Sequence, residues 1–358
     1  MEVHQVLVAA SAADAITNAA LDLQDELRCL GPSEIFARHV DPLLAGRVHP
    51  IDRYSRHTSS KGADLIVYHA SIGEPSVFSF LHQRPEPLAL IYHNISPSKH
   101  WAPYDSTFAA LLDTGRDELA ALASRAELAV AVSEFNAGEL RSLGFRNVVI
   151  SPLVVDTVAL RSVRPDKTMA DYLSCLDGPV FLFVGQILPH KRPDWLLSAY
   201  HVLVTYLEPG AHLVLIGMDR LRSYRQALDA YIAELNLNGA HMIGRVSDES
   251  LAACYRAADV FVTASEHEGF CAPLIEAMSF DVPVLARAYG AIPETTAGAG
   301  LLLEPEDSPL VAAEAMAVLA REESVRAELV RRGRRRIREL DPTVGRTILL
   351  GHLRSVGA

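Results

Sequence analysis

Residues 177–195 read DGPVFLFVGQILPHKRPDW, and they restart a strand-and-helix pattern in the middle of the chain. The turn signal Asp177-Gly178-Pro179 precedes the short apolar run Val180–Val184, which is typical of a buried parallel strand. A helix is predicted to start near Asp194. Because the same alternation also runs through the first half, the restart predicts two α/β domains, each a mostly parallel sheet covered on both faces.

Outward from this point, short runs rich in Val, Ile and Leu alternate with amphipathic stretches in both directions. The predicted strands of the first half are Gln5–Ala9, Leu65–Tyr68, Leu88–Tyr92, Leu128–Ala131 and Val148–Ile150, and its predicted helices are Asp14–Cys29, Phe108–Ser124 and Glu134–Leu143. The predicted strands of the second half are Val180–Val184, His212–Ile216, His241–Ile243, Val260–Thr263, Val284–Ala286 and Gly300–Leu303.

The weakly patterned stretch Ser151–Asp177 marks the domain boundary. We expect a first domain over 1–155 and a second over 165–341. Asp341-Pro342 breaks the last long helical stretch, and a short amphipathic segment, Thr343–Leu353, follows it.

Composition excludes several classes of protein. The chain has 358 residues, 49% of them hydrophobic, which is normal globular usage. With 33 Lys and Arg against 44 Asp and Glu, the formal charge is −11, so we expect no nucleic-acid partner. The N-terminus lacks a basic region and a cleavage site, so we expect no secretory signal. The four scattered cysteines predict no disulfide framework, which favours a cytoplasmic protein.

Familiar catalytic motifs are missing from the sequence. No G-x-G-x-x-G or Walker-type loop follows a predicted strand, and no G-x-S-x-G elbow is present. His267-Glu268 lacks a second His at metal-ligand spacing, so we expect no metal site.

The densest candidate site is residues 265–278, SEHEGFCAPLIEAM, between the strand Val260–Thr263 and a helix that Pro273 would open. The backbone N–H groups around Cys271, Ala272 and Leu274 would point out of the helix N-terminus and form a phosphate site. A carboxylate repels phosphate, so we expect Glu268 and Glu276 to accept hydrogen bonds from sugar or ribose hydroxyls instead. The plainer alternative is that Glu268 caps the helix and Glu276 is a solvated helical residue.

A second candidate site follows Val180–Val184. Gly185 permits a tight turn, and Lys191 and Arg192 are cations that could neutralise a diphosphate. The alternative is a basic loop with solvated side chains.

Two histidines of the first half, His93 and His69, sit at predicted strand ends, where open α/β sheets bind ligands. The alternative, which is the commoner one for a lone histidine, is a hydrogen-bonded structural residue. Asp14 is a plausible helix N-cap or a substrate contact. The run Arg331–Arg338 is strongly basic, and it is either a solvated helix face or a contact with a membrane surface or an anionic acceptor.

Together these residues resemble the family 4 retaining glycosyltransferases, which have the GT-B fold. The similarity covers nearly the whole chain and is most specific in VGQILPHKRPD, LVLIG, SEHEGFCAPLIEAM and PVLARAYGAIPETTAGAGLLLEP, with YHASIG and YHNISP in the first half. It implies two facing Rossmann-like domains with parallel sheets and an active site in the cleft between them. It also implies that a final helix, 342–358, crosses back to the first domain.

The resemblance implies a role for each matching residue of the second domain. Lys191 would contact the diphosphate of a nucleotide diphospho-sugar, Glu276 the ribose and Glu268 the donor sugar. The backbone and loop residues implied in donor binding are Gly185, Gln186, Arg192, Gly269, Phe270, Cys271, Ala272 and Leu274, with Arg245 and Val246 beside the base.

In the first domain, His93 matches a histidine that reaches toward the sugar. Asp14, Asn18 and His69 are looser candidates on the acceptor side. Three departures from the family pattern stand out: Gln186 replaces a usual Arg, while Cys271 and Asp281 replace usual glycines.

The implied reaction is retaining transfer of a hexose from a GDP- or UDP-linked donor to a hydroxyl of a saccharide, a lipid-linked molecule or a small molecule. Lys191 and the helix N-terminus would stabilise the leaving diphosphate, and domain closure would exclude water. We expect neither a metal nor a cofactor, and a cytoplasmic enzyme, either free or bound to the inner face of the membrane through Arg331–Arg338. The alternatives are a sugar-nucleotide epimerase of the same fold and a non-catalytic nucleotide-sugar-binding subunit.

Overall fold

The computed structural model describes residues 1–12, 14–58 and 62–357, with backbone alone at His57 and Pro342. The chain divides into two compact units. Unit 1 comprises Met1–Ala102, Ser106–Val154 and Pro342–Ala358, and unit 2 comprises Pro103–Asp105 and Val155–Asp341.

Unit 1 is built on a parallel sheet with the order β3-β2-β1-β4-β5-β6-β7 among the described residues. Its strands are β1 (Val3–Ala10), β2 (Ile35–Val40), β3 (Val48–Pro50), β4 (Leu65–Ala70), β5 (Leu88–Tyr92), β6 (Leu128–Ala131) and β7 (Val148–Ile150). Its helices up to the unit boundary are α1 (Ala15–Arg28), α2 (Tyr54–His57), α3 (Pro75–Gln83), α4 (Ser106–Leu122) and α5 (Glu134–Ser142).

Unit 2 repeats this arrangement with a parallel sheet in the order β10-β9-β8-β11-β12-β13, again within the described part of the chain. Its strands are β8 (Val180–Val184), β9 (His212–Ile216), β10 (Ala240–Gly244), β11 (Val260–Thr263), β12 (Val284–Arg287) and β13 (Gly300–Leu303). Its helices are α6 (Thr157–Ser162), α7 (Lys167–Ser174), α8 (Pro193–Val202), α9 (Arg222–Glu234), α10 (Asp248–Ala257), α11 (Ala272–Ser279), α12 (Ile292–Thr296), α13 (Pro309–Arg321) and α14 (Glu323–Glu339).

The last helix, α15 (Pro342–Val356), belongs to unit 1 although it follows unit 2 in sequence. Leu353 on this helix is fully buried and packs in the same core as Val3 and Leu65 of the unit 1 sheet. The preceding helix ends at Glu339, just before Asp341-Pro342, because a proline cannot continue the hydrogen-bond ladder of that helix. No helix among the described residues is both long and apolar enough to cross a membrane.

In each sheet the strand order reverses beside the first strand of the unit. The neighbours of β1 are β2 and β4, and the neighbours of β8 are β9 and β11. Loops leave adjacent strands in opposite directions at such a point and open a crevice at their carboxyl ends, where α/β sheets bind ligands. The topology therefore places a candidate site after β1 and β4 in unit 1 and after β8 and β11 in unit 2.

Candidate active site

Two loops meet at the carboxyl ends of β8 and β11 in unit 2. The loop after β8 contains a short 3₁₀ helix, Pro189–Lys191, and the loop after β11 runs into α11. The Glu266 N–H donates to the His190 carbonyl across 2.8 Å, so the backbones of the two loops are joined directly. This bond brings the two motifs that stood 70–80 residues apart in the sequence into one site.

An ion pair between Lys191 and Glu268 lies at the centre of this site, with Nζ and Oε1 2.6 Å apart. The Glu268 side chain is 8% exposed and the Lys191 side chain 20% exposed. Burial by itself lowers the pKa of Lys191, but the adjacent Glu268 carboxylate outweighs burial and raises that pKa above its ordinary value. Lys191 is therefore a fixed, fully charged cation at neutral pH.

The backbone of Glu268 is held in place by the two residues before α12, Gly290 and Ala291. Gly290 has a φ of +56° and lies so close that a Cβ there would meet the Glu268 carbonyl oxygen at 2.5 Å. The Ala291 N–H donates to the same carbonyl across 3.0 Å, and the Thr295 hydroxyl donates to the Phe270 carbonyl. The loop that carries Glu268 is thus rigid, and position 290 requires glycine.

The start of α11 presents free backbone amides. Within the described residues, three N–H groups have no hydrogen-bond acceptor: those of Gly269 and Phe270 in the loop that enters α11, and that of Ala272, the first residue of the helix. The Leu274 N–H, in contrast, donates to the Cys271 carbonyl across 3.1 Å. In the free protein the Leu274 N–H thus closes the first turn of the helix, and its contact with an anion stays a prediction.

Cys271 is the N-cap of α11 and has a left-handed backbone, with φ +68° and ψ +66°. This conformation explains why glycine is usual at this position in the resembling family. The thiol is buried, and burial, followed by the Glu268 carboxylate, raises its pKa well above the ordinary value. The thiol stays protonated and hydrogen-bonds the Glu268 carboxylate, so Cys271 adds a neutral group beside the ion pair.

Glu276 lies on α11 and accepts a hydrogen bond from the Tyr255 hydroxyl of α10, at 2.6 Å. Burial raises the pKa of Glu276, whereas the Tyr255 bond acts in the opposite direction. One carboxylate oxygen of Glu276 is thus committed to Tyr255, and the other is available to a ligand hydroxyl. Glu276 is accordingly not a simple solvated helical residue, and Tyr255 is a site residue that sequence reasoning missed.

Arg192, the second predicted cation of this site, is ion-paired on both sides. Its guanidinium bonds Asp194, with Nε 3.1 Å from Oδ2, and also pairs with Glu266. Its backbone is left-handed at φ +52°, which ends the 3₁₀ helix and turns the chain into α8. Two carboxylates therefore hold this guanidinium in the free protein, and the role of Arg192 in donor binding stays a prediction. Gln186 itself is exposed.

The remaining predicted donor residues lie around this pair of loops. Gly185 follows β8 directly, and its N–H donates to the Ile216 carbonyl of β9 across 2.9 Å. Arg245 and Val246 follow β10 at the sheet edge, with the Arg245 side chain exposed. Their place at the carboxyl end of the sheet is compatible with a base pocket, and that role stays a prediction.

In unit 1 the two predicted histidines form a stacked pair. His69 Nδ1 and His93 Nε2 are 2.8 Å apart, and the ring centroids are 5.1 Å apart. Burial lowers the pKa of His93 to about 4, and burial followed by the neighbouring His93 lowers the pKa of His69 well below its ordinary value. Both rings are therefore neutral at pH 7.

The two histidines line a cavity of about 80 Å³ inside unit 1. Its other walls come from α1, β5, β6, the chain after β7, and α15, with Asp22, Glu26 and Arg346 as its charged residues. Only 1% of His69 is exposed, whereas His93 is partly exposed. The structure thus brings His69 and His93 together, with His93 the more accessible of the two rings.

Asp14 and Asn18 are not in this cavity. The Asp14 carboxylate caps α1 and accepts bonds from the Thr17 N–H and hydroxyl, each at 3.0 Å. Asn18 is exposed on the same helix, one residue before Ala19, which does line the cavity. The plainer interpretation of Asp14 is correct, and the α1 residues beside the histidines lie farther along the helix than the sequence suggested.

The basic run Arg331–Arg338 lies on α14, and much of its charge is paired. Arg334 bonds both Asp281 oxygens, at 2.7 and 2.8 Å, while Arg336 donates to the backbone of α12. Arg331 and Arg332 share Glu328. The predicted membrane contact stays a prediction, on a face with less net positive charge than the sequence implies.

Within the described ranges, no three His, Cys, Asp or Glu side chains come together as a metal-binding group.

Part of the chain is similar in sequence to known glycosyltransferases. Residues 166–336 match the family model described as glycosyl transferases group 1. The O-antigen chain mannosyltransferase B of Escherichia coli is 31% identical over 199 residues, which cover 52% of this chain and 50% of that protein. A GDP-mannose-dependent alpha-mannosyltransferase of Mycolicibacterium smegmatis is 32% identical over 131 residues, 36% of this chain and 31% of that protein. The chain thus matches half or less of the length of these curated relatives.

Solved structures resemble the whole chain. Anabaena HepE, solved in complex with UDP and glucose, has a TM-score of 0.79 and 16% identity, with 99% of this chain and 100% of that chain covered. The sucrose-phosphate synthase of Thermosynechococcus elongatus has a TM-score of 0.74 and 21% identity, with coverages of 99% and 98%. At these identities the likeness shows the fold alone, which is the predicted GT-B fold.

Proposed function

We propose that this chain, whose residues 166–336 belong to the glycosyl transferases group 1 family, moves a hexose from a nucleotide diphospho-sugar to an acceptor hydroxyl. The observation that carries the proposal is the Lys191–Glu268 pair beside the open amides of α11, at the point where the unit 2 sheet reverses its strand order. A cation, a carboxylate and free N–H groups in one crevice suit a ligand that carries both phosphate and hydroxyl groups.

The diphosphate would bind between Lys191 and the start of α11. Lys191 supplies one positive charge, and the N–H groups of Gly269, Phe270 and Ala272 supply hydrogen bonds and the positive end of the helix dipole. Since Glu268 already neutralises Lys191 in the free protein, the incoming phosphate must draw Nζ away from that carboxylate. Donor binding would then free Glu268 to accept hydrogen bonds from the hydroxyls of the donor sugar.

Glu276 would hold the ribose of the nucleotide. Its Oε2 accepts from Tyr255, so the carboxylate is oriented before the ligand arrives. A buried carboxylate with one open oxygen is a strong acceptor for a vicinal diol, and leaving that oxygen unpaired is costly. This arrangement favours a nucleotide over a simple sugar phosphate as the ligand.

The chemistry that fits these groups is retaining transfer without a metal. The bond between the anomeric carbon and the phosphate oxygen breaks, and Lys191 and the α11 amides stabilise the charge that grows on the leaving diphosphate. A new bond forms between the anomeric carbon and the acceptor oxygen on the same face, and the acceptor proton passes to the leaving phosphate. No side chain needs to act as the two-carboxylate pair of a glycosidase does.

The donor is expected to be GDP- or UDP-linked. One relative is named as GDP-mannose-dependent, and a protein of the same fold was solved with UDP and glucose. The acceptor is a hydroxyl of a saccharide, a lipid-linked molecule or a small molecule, in the synthesis of a polysaccharide, a glycolipid or a glycoside. The name O-antigen chain mannosyltransferase of the Escherichia coli relative is compatible with the first of these.

Turnover of a donor panel tests the proposal. Purified protein is incubated with GDP-mannose, GDP-fucose, UDP-glucose and UDP-galactose, with EDTA and a panel of hydroxyl acceptors, and nucleoside diphosphate release is measured. The proposal predicts release from one nucleotide class that depends on an acceptor, with the anomeric configuration of the donor kept in the product. Conversion of the donor to another sugar nucleotide without an acceptor would indicate an epimerase. Absence of turnover across the panel would favour a non-catalytic subunit.

A further inference from the structure

A chain of hydrogen bonds crosses three neighbouring strands of unit 1 and ends at His93. Gln5 of β1 donates through Nε2 to the Ala20 carbonyl of α1 at 2.9 Å. The Gln5 Oε1 lies 2.9 Å from His69 Nε2 on β4, and His69 Nδ1 lies 2.8 Å from Nε2 of His93. Neither Gln5 nor Ala20 was singled out by the sequence.

The sheet register explains why these three side chains meet. Gln5 pairs with Val67, and His69 pairs with Ile91, in parallel ladders. Directly paired residues share a face, and residues two apart on one strand share it as well. Gln5, His69 and His93 therefore lie on one face, each a diagonal step from the next. Rigid strands, not mobile loops, hold Gln5 and His69 in place.

The position of each proton in this series of hydrogen bonds follows from the group at its fixed end, the Ala20 carbonyl. The Ala20 carbonyl can only accept, so the nitrogen of the Gln5 amide must face it and the oxygen must face His69. His69 Nε2 must then carry a proton. Because a neutral imidazole has one N–H, His69 Nδ1 has a lone pair and His93 must donate to it from Nε2. The remaining nitrogen of His93, Nδ1, is left unprotonated.

We propose that Gln5 and His69 are positioning residues that hold His93 in the tautomer with a proton on Nε2 and a lone pair on Nδ1. His93 Nδ1 takes no hydrogen bond from the described residues, and His93 lines the unit 1 cavity. An unprotonated ring nitrogen at a cavity wall is an acceptor for a hydroxyl hydrogen. His93 would thus orient a substrate hydroxyl as a neutral acceptor, and this role rests on the proposed function.

Burial supports the same assignment. Gln5 has no exposed surface and His69 is 1% exposed, so water cannot replace either partner. The lowered pKa values of both rings agree with one proton on each ring at neutral pH. In the opposite tautomer, His93 would present an N–H to the substrate, and the Gln5 oxygen would face a second lone pair. That arrangement leaves a buried acceptor unpaired, which destabilises it relative to the first tautomer.

The direct test is the tautomer of His93, read from the nitrogen chemical shifts of ¹⁵N-histidine-labelled protein near pH 7. The signals are assigned by their loss in His93→Gln. The proposal predicts a protonated Nε2 and an unprotonated Nδ1 in the native protein. A protonated Nδ1 on His93 would overturn it. This readout needs neither donor nor turnover, so it stands or falls separately from the proposed function.

We call the hydrogen-bonded series Gln5–His69–His93 the relay. The variant that breaks the relay is Gln5→Leu, and Gln24→Leu is its matched control. Gln24 is equally buried in unit 1 and also donates to a backbone carbonyl, that of Ser33, but it contacts neither of the two histidines of the relay. Loss of Gln5 releases His69 to reverse its tautomer, so His93 Nδ1 should gain a proton in a measurable fraction of molecules. Gln24→Leu should leave the His93 signals unchanged, whatever its effect on stability. An unchanged His93 tautomer in folded Gln5→Leu would remove Gln5 from the relay.

A kinetic readout then separates positioning from general damage. Once a donor and an acceptor are known, Gln5→Leu should lower kcat by about tenfold or more while KM for the donor stays within about twofold. Gln24→Leu should leave both constants near those of the native protein. Equal losses of kcat in the two variants would contradict a positioning role for Gln5.

Discussion

The two units share one topology but place different chemistry at the carboxyl ends of their strands. Unit 2 holds paired charges on loops, with Lys191 and Glu268 2.6 Å apart. Unit 1 holds neutral rings on or directly after strands, with His69 and His93 joined by a 2.8 Å hydrogen bond. Charges on loops can exchange partners when a ligand arrives, whereas a relay built on strands keeps one geometry. Unit 2 is therefore suited to binding an anion, and unit 1 to orienting a hydroxyl.

The largest effect is expected when the unit 2 charge is removed. Lys191→Met should lower donor turnover by about 100- to 1,000-fold. The variant removes the ammonium group that stabilises the negative charge developing on the leaving diphosphate. The measurement is kcat/KM for the donor identified by the panel.

Lys167→Met is the control for Lys191→Met. Lys167 is also in unit 2 and also pairs with a carboxylate, that of Asp171, but 86% of its side chain is exposed. It should keep turnover within about twofold of the native value, since exposed ion pairs contribute little. Similar losses in both lysine variants would contradict the assigned role of Lys191.

Substitution in unit 1 should separate chemistry from binding. His93→Phe is expected to lower turnover by about 10- to 100-fold, because a phenyl ring has no nitrogen to accept a hydrogen bond from the substrate. The Kd for the nucleoside diphosphate should stay within about twofold, since the unit 2 groups are untouched. A tenfold loss of nucleotide affinity in this variant would show that the two units do not divide the work as proposed.

The hydrogen bond that orients Glu276 should matter less than the central ion pair. Tyr255→Phe removes the donor at 2.6 Å, and we expect about a threefold to tenfold rise in the nucleotide Kd with kcat nearly unchanged. Tyr200→Phe is the control, because Tyr200 is just as buried and its hydroxyl donates to the Ala211 carbonyl away from Glu276. An unchanged Kd in Tyr255→Phe would remove Glu276 from the nucleotide site.

Acid should destabilise unit 1 through its histidine pair. Both folded pKa values lie below the ordinary value of 6.5, so the unfolded chain binds more protons as the pH falls below about 6.5. The free energy of unfolding should fall with a slope of about 0.7 kcal/mol per pH unit for each ring at pH 6.5, which rises toward about 1.4 near pH 5. Denaturant titrations at several pH values should show a shallower slope for His93→Gln, and an equal slope would contradict the neutral pair.

The smallest effect is expected at Asp281, which has no role in either proposed site. Its backbone is left-handed at φ +62°, and its carboxylate pairs with Arg334. Asp281→Asn keeps the tolerance for this conformation and loses only the exposed pair, so stability should fall by about 0.5 kcal/mol. Asp281→Ala should lose about 1 kcal/mol more, because Ala is strained there. Equal thermal midpoints for the two variants would contradict this account of the turn.

The sequence predicted elements best where apolar runs were long and buried. The strands β5, β6, β7, β8, β9, β11 and β13 match their predicted bounds, because each is an almost uninterrupted apolar run. The strands β2 and β3 and the helix α3 were missed, as were α6 and α7 within the stretch taken as weakly patterned. β3 has only three residues, and β2 (IFARHV) ends in three residues that are not fully buried, so neither gives a clear pattern.

The site was predicted in its residue types but not in its pairings. Lys191 and Glu268 were each singled out, yet their ion pair could not be foreseen, because it depends on how loops from two strands meet. The same holds for Arg192, whose partner Glu266 lies 74 residues away in sequence. Gln5 was hidden in a mostly apolar strand, where a polar residue gives no signal until its neighbouring strands are known.

The most direct test of the central claim is calorimetric titration of the protein with GDP, UDP, TDP and ADP in the absence of added metal. The account predicts that one nucleotide class binds, that Lys191→Met weakens that binding by about tenfold or more, and that Lys167→Met leaves it unchanged. Failure of all four to bind, or equal affinity in native protein and Lys191→Met, would contradict the assignment of the unit 2 site as a nucleoside diphosphate site.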